Sequence, residues 1–226
     1  MNLDPDSQPP APQPLPGLPA EVLVFGGGGH GKAVIDLLRA LPAYHLAGVV
    51  DDRLAPGEAV MGAPVLPGDL KSLYRAGIRL AANAVGGIGD ISVRVRVFDR
   101  LVEAGFGFPT LVHPTAFVEP GARLAPGAQL FPHAYAGSDA SIGFGVILNY
   151  GVGVGHDCVV GDYTNISPGA MLAGAVDVGA RVLIGMNATI NIGVRVGEGA
   201  RIGNGATVKK DVPPGGVVRA GAIWPE

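Results

Sequence analysis

The sequence predicts a small parallel α/β sheet domain followed by a parallel β-helix. Three observations lead to this prediction. An aliphatic residue or alanine stands at every sixth position from Val118 to Val208 without a break in register. Before that run, short apolar stretches alternate with stretches of helical periodicity. A glycine-rich turn joins the first apolar stretch to the first helical one, which is the order of strand, turn and helix in a parallel sheet.

The six-residue period predicts stacked coils, because a helix repeats about every 3.6 residues and a strand about every 2. Each hexad is one short strand with a corner, and three hexads close a coil, so residues about eighteen apart stack. We expect about five coils. The inward aliphatic series is Val118, Leu124, Leu130, Ala136, Ile142, Leu148, Val154, Val160, Ile166, Leu172, Val178, Ile184, Ile190, Val196, Ile202 and Val208.

A second inward series holds small or β-branched residues and one cysteine. Its members are Ala122, Ala128, Ala134, Ala140, Val146, Val152, Cys158, Thr164, Ala170, Val176, Val182, Ala188, Val194, Ala200 and Ala206. Glycine often follows the inward aliphatic residue, and we attribute this to bends that a β-carbon penalises. These glycines are Gly143, Gly155, Gly161, Gly179, Gly185, Gly197 and Gly203.

Length and composition exclude several classes of function. The chain has 226 residues, 48% hydrophobic and 15% charged, which suffices for two modest cores. A net charge of −3 without a long basic run argues against a nucleic-acid partner. With no apolar run of membrane-spanning length and no signal-peptide pattern, we expect a cytoplasmic protein without membrane contact. The single Cys158 predicts a core thiol without an intrachain disulfide.

We divide the chain into four parts. Residues 1–20 hold seven prolines and almost nothing to bury, so we interpret them as a flexible, polyproline-like tail. Residues 21–110 form the sheet domain, residues 111–212 the β-helix and residues 213–226 a C-terminal extension.

The sheet domain is expected to contain three strands and three helices. The strands are Glu21–Phe25, Leu46–Val50 and Arg79–Val85, and the helices are Lys32–Leu41, Gly68–Ala76 and Asp90–Ala104. The last helix should bury one face made by Ile91, Val95, Phe98 and Val102.

The glycine turn has two interpretations. Gly26, Gly28 and Gly31 satisfy the G-x-G-x-x-G spacing of dinucleotide-binding folds, and Asp51 lies twenty residues beyond. However, unpaired amides at a helix N-terminus attract any phosphate. Because only one mononucleotide-sized half is present and a β-helix offers no hydride acceptor site, we favour another phosphate ligand over NAD.

Four motifs, GGGGHGK, VVDDR, VHPTAFVEPGARL and VGHDCVVGDYTNISPGAML, occur in this order. With the hexads they resemble the sialic-acid O-acetyltransferase-like family of hexapeptide-repeat acyltransferases, and within it the nucleotide-diphosphate amino-sugar N-acetyltransferases of the diacetamido-bacillosamine and perosamine type. The resemblance implies a Rossmann-like domain that binds a UDP- or dTDP-sugar. It also implies a left-handed parallel β-helix that forms a homotrimer and binds acetyl-CoA between subunits.

The resemblance assigns roles in the sheet domain. It implies that the nucleotide diphosphate is bordered by Gly29, His30 and Gly31. It implies that the base and ribose are bordered by Asp51, Asp52 and Arg53.

The chemistry is expected at His156 and Asp157. Acetyl transfer to an amine needs a group that takes the amine proton, and imidazole suits this because its ordinary pKa lies near working pH. A carboxylate on the other ring nitrogen would fix the tautomer and support the imidazolium. His156 is the third residue of its hexad, near a corner, so its side chain should point outward. The resemblance implies that His156 is the base and Asp157 its partner.

Three further residues follow from the resemblance. Asn149 matches an asparagine that precedes the catalytic histidine in many relatives and would bind substrate or a cleft loop, and the alternative is a cap or turn asparagine. Asn165 stands where amino-sugar relatives often carry a histidine facing the thioester, so an amide would contact acetyl-CoA here. Gly174, one coil beyond His156, would leave room for the pantetheine arm and offer its amide to the oxyanion.

Alternative functions remain open at this point. The acceptor could be a hydroxyl of a sugar or of sialic acid, because Asn165 replaces a titratable group. A non-catalytic nucleotide-sugar-binding trimer is the second alternative. A γ-type carbonic anhydrase needs three histidines, two of them closely spaced. Since only His133 and His156 lie in the repeats, we expect no metal.

Overall fold

The structure, a computed structural model, describes residues 19–225. Most of the expected Pro-rich tail of residues 1–20 therefore lies outside the described residues, while Ala20 already begins the first strand. The described chain divides into two compact units. The first contains the residues through Gly86 and Ser92–Leu111, and the second contains Gly87–Ile91 and the residues from Val112 onward.

The first unit is a three-stranded parallel sheet with helices. Its elements in chain order are β1 (Ala20–Phe25), α1 (Gly29–Arg39), β2 (Tyr44–Val50), β3 (Ala59–Val60), β4 (Ala63–Pro64), α2 (Leu70–Arg75), β5 (Leu80–Asn83) and α3 (Ile91–Ala104). The sheet order is β2-β1-β5, and β3 and β4 form a small antiparallel hairpin that the sequence did not indicate. All three expected strands and all three expected helices are present.

The buried face of α3 differs from the expected one. The helix buries Arg94, Val97, Phe98, Leu101 and Ala104. Of the predicted face only Phe98 is among them, and Val102 is exposed. The prediction considered only apolar residues at helical spacing. It therefore missed the face that is buried, which includes an arginine. Arg94 is fully buried with its Nε donating to the Val85 carbonyl at 3.0 Å.

The second unit is a β-solenoid of about six turns. Its strands are β6 (Leu111–Val112), β7 (Phe117–Val118), β8 (Arg123–Leu124), β9 (Gln129–Leu130), β10 (Tyr135–Ala136), β11 (Ser141–Ile142), β12 (Ile147–Leu148), β13 (Gly153–Val154), β14 (Val159–Val160), β15 (Asn165–Ile166), β16 (Met171–Leu172), β17 (Asp177–Val178), β18 (Leu183–Ile184), β19 (Thr189–Ile190), β20 (Arg195–Val196), β21 (Arg201–Ile202), β22 (Thr207–Val208), β23 (Val217–Val218) and β24 (Ile223–Trp224).

These strands make three parallel sheets, one on each face of the coil. The first face contains β6, β9, β12, β15, β18, β21 and β23. The second face contains β7, β10, β13, β16, β19, β22 and β24. The third face contains β8, β11, β14, β17 and β20. The eighteen-residue stack is confirmed, since Leu148 pairs with Ile166 and Ile166 with Ile184.

Both predicted inward series form the core. From Ala128 to Val208 every aliphatic, alanine or cysteine member of the two series is buried, and Thr164 is buried as well. Val118 and Leu124 are partly buried, because they lie in the first coils, where fewer neighbours cover them. Burial of a continuous apolar column between stacked coils supplies the main driving force of this fold.

The glycines after the inward residue have a different cause from the one we expected. Gly155, Gly161 and Gly185 do not have positive φ angles. A β-carbon at Gly155 would lie 2.8 Å from the Ala173 carbonyl carbon, and one at Gly161 would lie 2.5 Å from the Ala180 nitrogen. These glycines are required by the close approach of the next coil, and the positive φ angles fall two residues later, as at Asp157.

The C-terminal stretch corrects our domain limits. Residues 213–226 were expected to be an extension, yet β23 pairs with β21 and β24 pairs with β22. Their register steps are sixteen residues, as in the pair of Arg201 and Val217, so the six-residue reading stops at Val208 although the solenoid continues.

Candidate active site

The corner between the second and third faces carries His156 and Asp157. It connects β13 to β14 and presents both side chains to solvent, with 63% and 60% of their surfaces exposed. The His156 Nδ1 lies 2.7 Å from the Asp157 Oδ2. The predicted pairing of imidazole and carboxylate is therefore present in the structure.

The backbone of this corner is fixed on both sides. The Asp157 amide donates to the Ser138 carbonyl at 2.9 Å, and the His156 carbonyl accepts from the Ala175 amide at 2.8 Å. Asp157 itself has a φ of 59°, a left-handed conformation that aspartate tolerates better than most residues. The turn places the carboxylate beside the preceding imidazole, so the pair is set by backbone geometry as well as by its own hydrogen bond.

This contact selects the ring nitrogen that is free to react. When Nδ1 carries a proton and donates it to the Asp157 carboxylate, the neutral ring has Nε2 as its acceptor. A carboxylate in this position also stabilises the imidazolium that forms after proton uptake. The arrangement can therefore act as a general base through Nε2.

Gly174 lies directly against the imidazole. A β-carbon at Gly174 would be 2.4 Å from Nε2 and 2.5 Å from Cε1 of His156. We expected the missing side chain to leave room for a pantetheine arm, but the His156 ring occupies the space above this Cα. The ring folds toward the next coil because no side chain there prevents it.

Cys158, the residue after the dyad, is a core thiol as expected. It is fully buried, and its Sγ donates to the Ala173 carbonyl at 3.1 Å. Burial raises the pKa of the Cys158 thiol above its ordinary value, so the reactive thiolate is disfavoured.

The Asn165 side chain is buried. The residue is 2% exposed, and its amide donates to the Ser167 Oγ at 3.3 Å. The backbone of Gly87 covers it so closely that a β-carbon at Gly87 would be 2.3 Å from the Asn165 Cβ. In one chain this amide is buried beneath a loop backbone, so its contact with acetyl-CoA stays a prediction. No motif in the sequence indicated the contact with Gly87.

Asn149 lies at a different corner of the same coil from His156. Its backbone N–H donates to the Ile166 carbonyl at 3.1 Å, and its backbone carbonyl accepts from the Val152 amide at 3.2 Å. Within one chain it therefore closes the corner between the first and second faces and does not join the dyad.

In the first unit, the glycine turn brings α1 close to β1. Gly26 has a φ of 116°, and a β-carbon at Gly31 would be 2.1 Å from the Gly26 carbonyl oxygen. Only glycine fits at either position, the first for its backbone and the second for its contact. This explains the spacing of the two glycines by helix packing, without reference to a ligand.

The N-terminus of α1 is open for an anion. Gly28 is the N-cap without a side-chain cap, and no atom lies within 4 Å of where a β-carbon would be at Gly28 or Gly29. Both residues are exposed. Amides of the first turn have no partner inside a helix and attract phosphate oxygens. His30 is half-buried, with its Cβ 3.5 Å from a β-carbon built at Gly86.

Asp51 supports the glycine turn through both carboxylate oxygens. Oδ2 accepts from the Gly27 amide at 2.7 Å, and Oδ1 accepts from the Arg53 amide at 2.8 Å. A carboxylate with both oxygens on the backbone is poorly placed to read a ribose. Asp51 therefore fixes the turn, and its expected contact with the ribose stays a prediction.

Asp52 forms an ion pair that the sequence did not reveal. Its two oxygens accept from Arg100 of α3 at 2.7 and 3.1 Å, and the guanidinium carbon lies 4.8 Å from the centre of the Phe25 ring. The hydrogen bond from Arg100 lowers the pKa of Asp52 and raises the pKa of Arg100. Arg100 belongs to no motif, and only tertiary folding brings it to the VVDDR segment. Arg53 remains an exposed side chain.

Residues 19–225 lack two features that would indicate other functions. This part of the chain holds no group of three or more histidine, cysteine, aspartate or glutamate side chains that could bind a metal ion. Nor does it contain a helix long and apolar enough to cross a membrane.

Comparison with known proteins places this geometry in a family. Residues 21–101 match the family described as PglD N-terminal domain. A relative from Bacillus subtilis strain 168, UDP-N-acetylbacillosamine N-acetyltransferase, is 34% identical over 101 residues, which is 43% of this chain. The match spans 44% of the length of that relative.

Solved structures match over most of the chain. A histidine-to-asparagine variant of perosamine N-acetyltransferase from Caulobacter crescentus, in complex with CoA and GDP-perosamine, superposes with a TM-score of 0.83 at 33% identity. This match covers 88% of the present chain and 93% of the other. The acetyltransferase domain of PglB from Neisseria gonorrhoeae FA1090, in complex with acetyl coenzyme A, superposes with a TM-score of 0.79 at 31% identity, over 90% and 98% of the two chains.

The matches confirm the fold that the sequence predicted, a small parallel-sheet domain followed by a left-handed β-helix. They also show acetyl-CoA or CoA as the ligand of related proteins. The chain therefore belongs to the acetyltransferase family of the bacillosamine and perosamine N-acetyltransferases, whose first domain is the PglD N-terminal domain.

Proposed function

We propose that this protein transfers the acetyl group of acetyl-CoA to the amino group of a sugar carried on a nucleoside diphosphate. The observation that supports it most directly is the 2.7 Å contact between His156 Nδ1 and the Asp157 carboxylate at an exposed corner. The relatives supply the chemical class, since one is named for UDP-N-acetylbacillosamine and another is bound to CoA and GDP-perosamine.

In the proposed reaction His156 is the general base. The amine nitrogen attacks the thioester carbonyl carbon, the C–N bond forms, and the C–S bond breaks. Nε2 takes the proton that the amine loses, and this proton then neutralises the departing CoA thiolate. Asp157 holds the ring through Nδ1 and stabilises the imidazolium while the proton resides there.

We assign the nucleotide diphosphate to the N-terminus of α1. Gly29, His30 and Gly31 form its first turn, and the open surface at Gly28 and Gly29 lets phosphate oxygens reach the amides. We had expected UDP or dTDP, and the GDP-perosamine complex of a relative adds a third candidate base. In the VVDDR segment Asp52 is paired with Arg100, whereas the Arg53 side chain is exposed. Arg53 therefore remains our candidate for a contact with the nucleoside.

We also propose a homotrimer. The second face presents exposed apolar side chains from several coils, among them Phe117, Tyr135, Met171 and Ile223. Exposed apolar side chains that share a face favour a protein interface there. Light scattering of the purified chain should give three times the monomer mass. A monomer at micromolar concentration would remove this part of the proposal.

The test is a screen for CoA release. Purified protein is incubated with acetyl-CoA and UDP-, dTDP- or GDP-linked 4-amino sugars, and the free thiol is measured. Each amino sugar is matched with the same sugar carrying a hydroxyl in place of the amine. We expect release with an amino sugar and none with its hydroxyl analogue. Release with the hydroxyl analogue alone would show O-acetylation. Calorimetric binding of a sugar nucleotide with no release for any acceptor would show the non-catalytic alternative.

A further inference from the structure

The corners between the second and third faces stack in register. The Ala175 amide donates to the His156 carbonyl at 2.8 Å, and the Gly193 amide donates to the Gly174 carbonyl at 3.0 Å. Gly174 is therefore the residue directly beyond His156 in this stack, and Ile192 is the one after it. The neighbour of the imidazole along the coil axis is set by these hydrogen bonds.

The contact between the ring and Gly174 involves three ring atoms. A β-carbon at Gly174 would be 2.4 Å from Nε2, 2.5 Å from Cε1 and 3.0 Å from Cδ2 of His156. Non-bonded carbon atoms prefer separations of about 3.5–4.0 Å, so no side chain fits there without displacing the ring. The imidazole thus lies with its face on the Gly174 Cα.

The backbone does not require glycine at this position. Gly174 is absent from the residues with a positive φ, so an alanine could adopt its conformation without strain. Gly174 is buried, and the three atoms nearest to a β-carbon built there all belong to the His156 imidazole. Other positions of the same stack carry side chains, namely Pro120, Ser138 and Ile192. The bare Cα is needed only where the stack follows His156.

We propose that Gly174 is a positioning residue for the general base. Asp157 fixes the rotation of the ring through Nδ1, and the Gly174 Cα fixes its tilt, so that Nε2 has one direction in which to meet the acceptor amine. This role rests on the proposed function, but the contact between the His156 ring and the Gly174 Cα is a property of the folded chain. It differs from a contact with acetyl-CoA, because Gly174 acts on the reaction through His156.

The kinetic signature follows from that difference. In Gly174→Ala the ring must rotate away, and the 2.7 Å contact with Asp157 lengthens. Displacing a reacting group by about 1 Å costs up to about 100-fold in rate. We expect kcat to fall about 10- to 100-fold while the KM for acetyl-CoA changes less than about threefold. A matched control is Ala173→Ser, which adds one atom to the exposed preceding residue and should leave kcat unchanged.

A double-mutant cycle separates positioning from other roles. In the His156→Ala background no ring lies above the Gly174 Cα, so Gly174→Ala should have no further effect on the residual rate. Thermal unfolding is the structural control: Tm should change little in either background, because the exposed ring can turn away from the new methyl group. If the single variant fails to fold, folding of the double variant carries the same information.

A readout independent of turnover keeps this inference distinct from the proposed function. The ring protons of His156 are followed by NMR in the wild type and in Gly174→Ala, and we expect their chemical shifts to change. Unchanged shifts, a large Tm loss in both backgrounds, or a raised KM for acetyl-CoA with normal kcat would each overturn the positioning role. Absence of turnover in the wild type with altered shifts would instead overturn the proposed function alone.

Discussion

Two corners of the same coil show how one backbone turn serves either chemistry or structure. The third residue of each corner has a left-handed backbone, Asp157 with a φ of 59° and Tyr163 with a φ of 60°. The second residue is His156 in one and Asp162 in the other. The Asp162 side chain accepts from the Phe144 amide, one coil back, at 2.7 Å, whereas the His156 side chain pairs with the neighbouring carboxylate of Asp157.

Each of these two side chains lies on a glycine. A β-carbon at Gly143 would be 2.6 Å from the Asp162 Oδ1, just as one at Gly174 would meet the His156 ring. Asn204 repeats the Asp162 arrangement by accepting from the Met186 amide at 2.9 Å. A side chain that bonds the backbone of a neighbouring coil stabilises the stack, and that polar atom is then not free to react. Turning toward another side chain leaves a polar atom, Nε2, available for reaction.

The largest loss of kcat is expected when the proposed base is removed from the catalytic corner. His156→Ala removes the proposed base, and kcat should fall by about 10²–10⁴-fold, the range typical of losing a general base. The KM for acetyl-CoA and the Tm should change little, because an exposed corner side chain contributes little to the stacked core. Steady-state kinetics on the preferred amino sugar measure this. A kcat near that of the wild type at neutral pH would show that the base is elsewhere.

A smaller effect is expected from Asp157→Asn. The amide keeps the size of the side chain but carries no charge to support the imidazolium, so kcat should fall less than in His156→Ala, by about 10- to 100-fold. Steady-state kinetics of Asp157→Asn, measured beside His156→Ala on the same amino sugar, test this order. A loss larger than that of His156→Ala would contradict an orienting role.

The smallest effect is expected at the structural corner. Asp162→Ala leaves the Phe144 amide without its acceptor and should lower the free energy of unfolding by about 1–2 kcal/mol. Because Asp162 is not part of the dyad, kcat should stay within about twofold of the wild type. Asp162→Asn, which keeps an acceptor oxygen, is the matched control and should recover most of the stability. Chemical denaturation and the CoA-release assay together check this, and a large loss of kcat would remove the distinction between the two corners.

The sequence was most informative where the structure repeats. The inward series, the stacking of Leu148 on Ile166 and the corner position of His156 all follow from one period, because each coil imposes the same constraint on the next. The pairing of His156 with Asp157 was predicted from the resemblance to the acetyltransferase family, and the 2.7 Å contact between Nδ1 and Oδ2 is present.

The sequence was less informative where a non-repeating segment determines the environment of a side chain. Asn165 is buried because the backbone of Gly87 covers it, and nothing in the hexads encodes that segment. Asp51 bonds the Gly27 amide, and Asp52 bonds Arg100, through contacts that only tertiary folding creates. The tilt of the His156 ring onto Gly174 was missed for a related reason, because spacing gives the neighbour but not the direction of the side chain.

The shortened last coil shows where this gene can gain or lose codons. Arg201 pairs with Val217 over sixteen residues, while Leu183 pairs with Arg201 over eighteen. The two-residue shortening leaves the later strands in place, since β24 still pairs with β22 at the same sixteen-residue step. Duplication of a whole eighteen-residue unit keeps all columns aligned, so such chains can lengthen during evolution by complete turns.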